Sequence, residues 1–269
     1  MKAWALGSGS RGNAILLECG GTRVLIDAGF APRALARRLA TVHVPPESIE
    51  AVVVTHEHVD HSRGVAAAQA KWGWRVVGSA GTLAGIGGLD ARRTIAVAPA
   101  RAFAIGALDV ELVRVPHDAA EPTAVLATVR RSGFRAGCAH DLGSVSGALR
   151  RAFTGLDLLL LESNHDEALL RSGPYPPFLQ DRIASRTGHL SNRQSSGLAR
   201  ELAGPSLRAL VLLHLSEVNN TPEHATHAAT MSLAGTRVRG VAVAAAAQDR
   251  VVGPFGDARG GARQLRLAL

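Results

Sequence analysis

The seven residues Thr55-His56-Glu57-His58-Val59-Asp60-His61 constrain this chain more than any other feature. They follow directly on an apolar run, Ala51-Val52-Val53-Val54, that reads as a strand. Three imidazoles and a carboxylate (His56, His58, His61 and Asp60) therefore leave one strand end. Imidazole and carboxylate suit Zn²⁺ and similar first-row ions. A loop at a strand terminus can aim alternate side chains at two neighbouring points. His56 and His58 could hold one ion, and Asp60 and His61 a second. A polar helix start with coincidental histidines does not account for this density. The only cysteines, Cys19 and Cys138, make neither a metal-spaced pair nor a disulfide framework. Any metal site must draw on Asp and on the 11 histidines.

The pattern then recurs. Leu112–Pro116 ends in His117, Phe134–Ala139 ends in His140-Asp141, and Ala209–Leu213 ends in His214. One histidine at a strand end is commonly a solvated or capped residue. Three more such ends behind one dense motif reverse that judgement, because strand ends converging on one sheet edge are a common way to build a site.

Periodicity predicts strands at Ala14–Glu18, Thr22–Asp27, Ala51–Thr55, Arg75–Gly78, Val110–Val115, Thr123–Val129, Phe134–Ala139, Asp157–Leu161 and Arg208–Leu213. Helices are expected at Pro32–Thr41, Ser62–Trp72, Ser144–Phe153, Asp166–Arg171, Ser191–Leu202 and Pro222–Leu233. Pro174-Tyr175-Pro176-Pro177 reads as a rigid loop. The mixture is α/β (α+β), with sheets covered by helices in either an αββα sandwich or an ordinary α/β layering. With 269 residues and no internal linker, one domain over 1–247 is the economical reading, followed by a Gly/Arg-rich, loose segment at 248–269.

The formal charge of +8 and pI of about 11.0 favour a phosphate-bearing partner. Only Lys2 and Lys71 are lysines, however, so the arginine excess also fits a compositional bias. No apolar run is long enough for a membrane span, and the N-terminus breaks into glycines too early for a signal peptide. A cytoplasmic protein with no membrane partner is expected.

The motif His-x-His-x-Asp-His with His117, Asp141 and His214 resembles the metallo-β-lactamase superfamily. The flanking stretches are similar to one branch of it, the YycJ/WalJ group of bacterial exonucleases. These are Ser8–Asn13, Leu25–Gly29, Pro116–Pro122, Glu162–Asp166, Gly188–Asn192 and His214–Asn220, and the resemblance spans about residues 3 to 245. It implies a four-layer αββα sandwich, the metallo-β-lactamase fold. It implies two divalent ions per chain, Zn²⁺ or Mn²⁺, the first on His56, His58 and His117. The second would lie on Asp60, His61 and His214, with Asp141 bridging. Asp27 would brace the metal loop from behind.

In the similar ribonuclease Z family a Gly-His upstream of the last ligand is thought to protonate the leaving oxygen, and that role carries over to His189. Asp60 and His189 are thus the expected catalytic residues. Ser191, Asn192, Asn164, His165 and Asn13 are expected substrate contacts, although Asn164 and His165 also suit capping. His140 departs from the branch, which more often has a small or hydroxylated residue there, and could ligate or touch substrate.

The implied activity is a metal-dependent phosphodiesterase, a DNA 5′-to-3′ exonuclease using a hydroxide activated by two ions. The gaps on either side of Asp141 hold no large cap domain, which argues against the ribonuclease J type. The rival readings are hydrolysis of a cyclic nucleotide, thioester or lactam on the same site, and a nucleic-acid-binding relative with a decayed site.

Overall fold

The computed structural model describes residues 1–236 and 238–256. Its strands are β1 (Lys2–Gly7), β2 (Ala14–Cys19), β3 (Thr22–Ile26), β4 (Ala51–Val53), β5 (Arg75–Gly78), β6 (Thr94–Ala96), β7 (Ala102–Ile105), β8 (Leu108–Arg114), β9 (Thr123–Val129), β10 (Arg135–Ala139), β11 (Leu158–Glu162), β12 (Ala209–Leu213), β13 (Ala242–Ala245) and β14 (Val252–Gly256). The helices are α1 (Pro32–Ala40), α2 (Val59–Ser62), α3 (Val65–Trp72), α4 (Ala80–Ala84), α5 (Gly147–Ala152), α6 (Glu167–Ser172), α7 (Pro177–Ile183), α8 (Asn192–Leu202) and α9 (Pro222–Ala234). None is long and apolar enough to cross a membrane.

The strands form two seven-stranded sheets, in the orders β14-β1-β2-β3-β4-β5-β6 and β13-β12-β11-β10-β9-β8-β7. Side chains alternate across each strand and so fall into three apolar layers. Ala3, Ala5, Ile15, Leu17, Val24 and Ile26 of the first sheet meet Leu158, Leu160, Val211 and Leu213 of the second between the sheets. Trp4, Leu6, Leu16 and Leu25 point the other way and pack with Leu35 and Leu39 of α1 and Val65 and Ala68 of α3. Leu159, Leu161, Leu210 and Leu212 pack outward against Leu149 of α5, Leu198 of α8 and Ala225 and Ala229 of α9. Burial on both faces explains why β11 and β12 read as unbroken apolar runs rather than alternating ones. This is the four-layer αββα sandwich, so the choice left open by periodicity is made by the helices covering both outer faces.

Strands β3, β4 and β5 run parallel, as do β10, β11, β12 and β13. Strand β8 is antiparallel to β9, which is antiparallel to β10, so β8 and β10 share a direction. The C-terminal ends of β8, β10, β11 and β12 therefore share one edge.

Several expected boundaries shift for identifiable reasons. Strand β4 stops at Val53, and the Thr55 N–H leaves the ladder to donate to the Asp27 carboxylate. The helix expected at Ser62–Trp72 is two, α2 and α3, divided at Gly64, whose N–H donates to the Ala28 carbonyl. The N-terminal residues, read as too glycine-broken for a signal peptide, form the buried strand β1. The proline loop runs on into α7, with Pro177 in its first turn. Residues 252–256, expected in the loose C-terminal segment, form β14 as the edge strand against β1. Residues 257–269 of that segment lie outside the described residues.

Two glycines make this packing testable. A Cβ on Gly29 would lie 1.7 Å from the Asp60 carbonyl oxygen, so backbone meets backbone there. Gly197 lies exposed within α8, with open space where its Cβ would be. Gly29→Ala should lower stability by about 1–3 kcal/mol or more through overpacking. Gly197→Ala should raise it by about 0.5–1 kcal/mol through helix propensity. Thermal or denaturant melting of the two variants checks both signs.

Candidate metal centre

The strand ends deliver their ligand-type residues to one point. Asp27 follows β3, His56–His61 follow β4, His117 follows β8, Asp141 follows β10 and His214 follows β12. Asp27, Asp141 and His214 all take up positive φ, at 62°, 54° and 53°. A left-handed residue turns the chain sharply as it leaves the strand, and for a side chain with a Cβ this conformation carries strain.

All seven proposed ligands gather. Ligand atoms lie within 4.8 Å of one another in His56/His58/His117 and in Asp60/His61/His214. Asp141 joins the two sets through His56/His61/Asp141. Its Oδ2 lies 2.7 Å from His61 Nε2 and 3.5 Å from His56 Nε2, and its Oδ1 lies 3.3 Å from His214 Nε2.

Hydrogen bonds outside the cluster set each ring's tautomer. His61 Nδ1 donates to Asp27 Oδ2 at 2.7 Å, and Thr55 Oγ1 donates to the same oxygen at 2.8 Å. Because that hydroxyl hydrogen is committed, Thr55 Oγ1 accepts from His56 Nδ1 at 3.1 Å. His58 Nε2 donates to the Asp118 carbonyl at 3.0 Å and His117 Nδ1 to the Gly188 carbonyl at 3.2 Å. His214 Nδ1 donates to Asn13 Oδ1 at 3.3 Å. Each of the five imidazoles thus spends one nitrogen on an outer acceptor and turns the other, a lone pair, toward the shared space. Glu57 does not join them, because its Oε1 accepts from the Ala120 N–H on the far side of the loop.

This donor set fits divalent cations. His56 Nε2 and both oxygens of Asp141 are buried without a hydrogen-bond partner. His61 Nε2 and Asp141 Oδ2, two acceptors at 2.7 Å, need a proton or a cation between them. Without a cation, protons must fill that need. Burial opposes charge on His61, but Asp141 and Asp27 outweigh it and push the imidazole well above its usual range. Burial likewise opposes charge on Asp141, yet His214 and His61 hold its carboxyl well below the usual carboxylate range. Burial, with His61 beside it, drives His56 well down. Bound metal would replace these protons, so binding should release them.

A cavity of about 250 Å³ lies over the cluster and is lined by His58, Asp60, His117, Asp141, His189 and His214. Leu179, Arg182 and Ile183 of α7 also line it. His189 Nδ1 lies 2.6 Å from Glu162 Oε1 and 3.2 Å from Asp141 Oδ1. Burial would lower its pKa, but the Glu162 charge, with the Asp141 carboxylate close by, raises it to about 10. Glu162, which lies in one of the stretches carrying the resemblance, is a residue to which sequence reasoning gave no role. It is fully buried at the end of β11, and its Oε2 accepts from the Leu142 and Leu190 N–H groups. Its signal was an acid closing the run Leu158–Leu161, where both faces of the strand are covered.

The five expected substrate contacts are placed differently. Asn13, Asn164, His165, Ser191 and Asn192 are all buried. Asn13 Nδ2 donates to Asp60 Oδ2 and lies 3.0 Å from His61 Nε2, so this side chain braces three ligands. Asn164 Nδ2 donates to the His214 carbonyl. Asn192 is tied to Ser163 and Asn220 in a closed polar network. Ser191, expected to contact substrate, caps α8, and its hydroxyl donates to Glu167, so the chain's own carboxylate occupies that helix start. His165 bridges to Ser191 through the backbone. These loops needed internal partners for their buried backbone, and their polar side chains supply them. His140 turns away from the cavity, with Nδ1 at 3.6 Å from Asp27 Oδ2, behind the ligands.

Asp27 links three of these groups, so Asp27→Asn should weaken metal affinity about 10- to 100-fold, since the His61 tautomer loses its carboxylate acceptor. Metal titration followed by calorimetry checks this, with melting curves to show that the variant folds.

The family model described as a beta-lactamase superfamily domain matches residues 22–215. The chain is 32% identical over 224 residues to the exodeoxyribonuclease WalJ of Streptococcus pneumoniae, covering 81% of this chain and 82% of that protein. It is 29% identical over 224 residues to the exodeoxyribonuclease YycJ of Bacillus anthracis, covering 81% and 83%. Among solved structures, the metallo-beta-lactamase fold protein YhfI from Bacillus subtilis superposes with a TM-score of 0.70 at 18% identity, over 93% of this chain and 98% of that one, a likeness of fold. By the span of the family match and the identity to WalJ, this chain belongs to the beta-lactamase superfamily, with the metallo-β-lactamase fold and within the group that holds WalJ and YycJ.

Proposed function

We propose that the protein is a metal-dependent phosphodiesterase, a DNA exonuclease that degrades from the 5′ end with two divalent cations, Zn²⁺ or Mn²⁺. The observation that carries this reading is the convergence of His56, His58, Asp60, His61, His117, Asp141 and His214 beneath one cavity, in a chain 32% identical to an exodeoxyribonuclease. When bound, the cations supply Lewis-acid polarisation of a phosphoryl oxygen and lower the pKa of water toward neutrality. His56, His58 and His117 would hold one, and Asp60, His61 and His214 the other, with Asp141 shared.

The chain's own groups do the rest. Asp27 and Asn13 hold the ligand rings in orientation, so little reorganisation is needed as charge develops. His189 projects into the cavity with its imidazole kept protonated by Glu162, and it donates that proton to the departing sugar oxygen. Arg182 donates one N–H to Asp118 and has other donors to offer a phosphate at the rim. The formal charge of +8 adds a salt-sensitive attraction for DNA. An intracellular substrate and two free cysteines suit a cytoplasmic setting.

The test uses 5′- and 3′-labelled single- and double-stranded DNA with Mn²⁺ or Zn²⁺, and Asp60→Ala as control. Shortening from the 5′ end, abolished in Asp60→Ala, is expected. Turnover of a thioester, a lactam or a cyclic nucleotide with no action on DNA would instead establish the small-substrate reading. His189→Ala should lower kcat about 10²- to 10⁴-fold while leaving metal content unchanged, because it removes an acid and no ligand. Single-turnover kinetics beside elemental analysis separates the two effects.

A further inference from the structure

We infer that Phe178 is a stacking platform for the terminal nucleobase of the DNA strand, set beside the cavity in which that strand is cut. This deepens the nuclease reading above and rests on it. The chain has three Trp, one Tyr and six Phe. Phe178 alone among them is largely in solvent, at 75% exposure, while the others are buried or partly buried. Its helix inverts the usual amphipathic arrangement, for α7 buries Gln180 and presents Phe178 to water. Neither helix formation nor core packing requires that side chain there.

The position of α7 gives the exposure a use. Leu179, Arg182 and Ile183 line the cavity over the metal ligands. Phe178 and Arg182 are four residues apart, so they are neighbours on one helical face, separated by about 6 Å along the axis. An arginine at the cavity for phosphate, and an aromatic face one helical turn before it for a base, form the pairing that single-stranded nucleic acid requires.

The platform is also held in place. Pro176 and Pro177 begin α7, and Asp181 pairs with Arg171 of α6 at 2.7 Å. The His189 N–H donates to the Ile183 carbonyl at 2.8 Å, which ties the end of α7 to the proposed proton donor. With its helix anchored, only the rotation of the Phe178 side chain itself has to be ordered when a base stacks on it.

The experiment measures binding of the metal-loaded protein, by fluorescence anisotropy, to single-stranded oligonucleotides with cleavage-resistant phosphorothioate ends. The 5′-terminal nucleotide either carries its base or is abasic. The wild type should prefer the base-bearing end by about 5- to 150-fold, the range of one base–aromatic stack. Phe178→Ala and Phe178→Leu should lose that preference, and Phe178→Trp should keep it. Met231→Ala, which removes a similarly exposed apolar side chain from α9, should also keep it.

With unmodified DNA, Phe178→Ala should raise KM far more than it lowers kcat. If Phe178→Ala discriminates between the two ends as the wild type does, or if Phe178→Leu keeps the full preference, stacking is overturned while the nuclease reading stands. If the wild type degrades no DNA under any condition, the nuclease reading fails and this inference falls with it.

Discussion

The site rests on one buried carboxylate. Asp27 is fully enclosed, and its two oxygens accept from the Thr55 N–H, the Thr55 hydroxyl and His61 Nδ1. A buried carboxylate is tolerated only when its hydrogen-bonding capacity is met, and here it is met by the loop that carries the ligands. Asp27 therefore ends strand β4, sets the path of residues 55–61 and fixes the face of His61 that looks into the cavity. The neighbouring backbone is equally constrained. The Ala28 N–H donates to the His61 carbonyl and the Asn13 N–H to the Asp60 carbonyl. Gly29 exists as glycine because the Asp60 carbonyl occupies the place of its Cβ.

Around that anchor, the centre is organised by tautomers. Each proposed histidine ligand has an outer acceptor: a carboxylate for His61, a hydroxyl for His56, carbonyls for His58 and His117, and an amide for His214. The inward nitrogens and the oxygens of Asp141 then concentrate electron pairs in one small volume. Such a set is unfavourable by itself and favourable around cations. His189 stands apart from the five, since its Nδ1 lies between Glu162 and Asp141, an arrangement that keeps a proton rather than presenting a lone pair.

The site was more legible than the fold that builds it. His56, His58, Asp60 and His61 lie within one stretch, and His117, Asp141 and His214 each end an apolar run, so type and position both mark them. Residues such as Asn13, Asn164 and Asn192 share that chemistry but are engaged within the protein. Their polar atoms answer to backbone and side-chain groups far away in the chain, Asn13 to Asp60 and His214, and Asn192 to Ser163 and Asn220. A local reading takes such residues for substrate contacts because it cannot count the partners a fold supplies. Glu162 was given no role for the converse reason, since its partner His189 lies 27 residues further on. Strand β14 was missed because its glycines and proline conceal a strand whose one partner, β1, lies at the other end of the chain.

The sequence by itself determined the unbroken apolar run Leu158–Leu161, which marks a strand covered on both faces, and the residue types able to hold a divalent ion at strand ends. These are properties of a side chain and its near neighbours. Tertiary structure alone decided which strand ends share an edge, which nitrogen of each imidazole is spent outside the cavity, and that Phe178 stands in solvent while Leu179 and Ile183 line the cavity. Those outcomes follow from sheet order and from contacts between residues remote in the chain, where the free energy lies in burial and partner satisfaction rather than in local propensity.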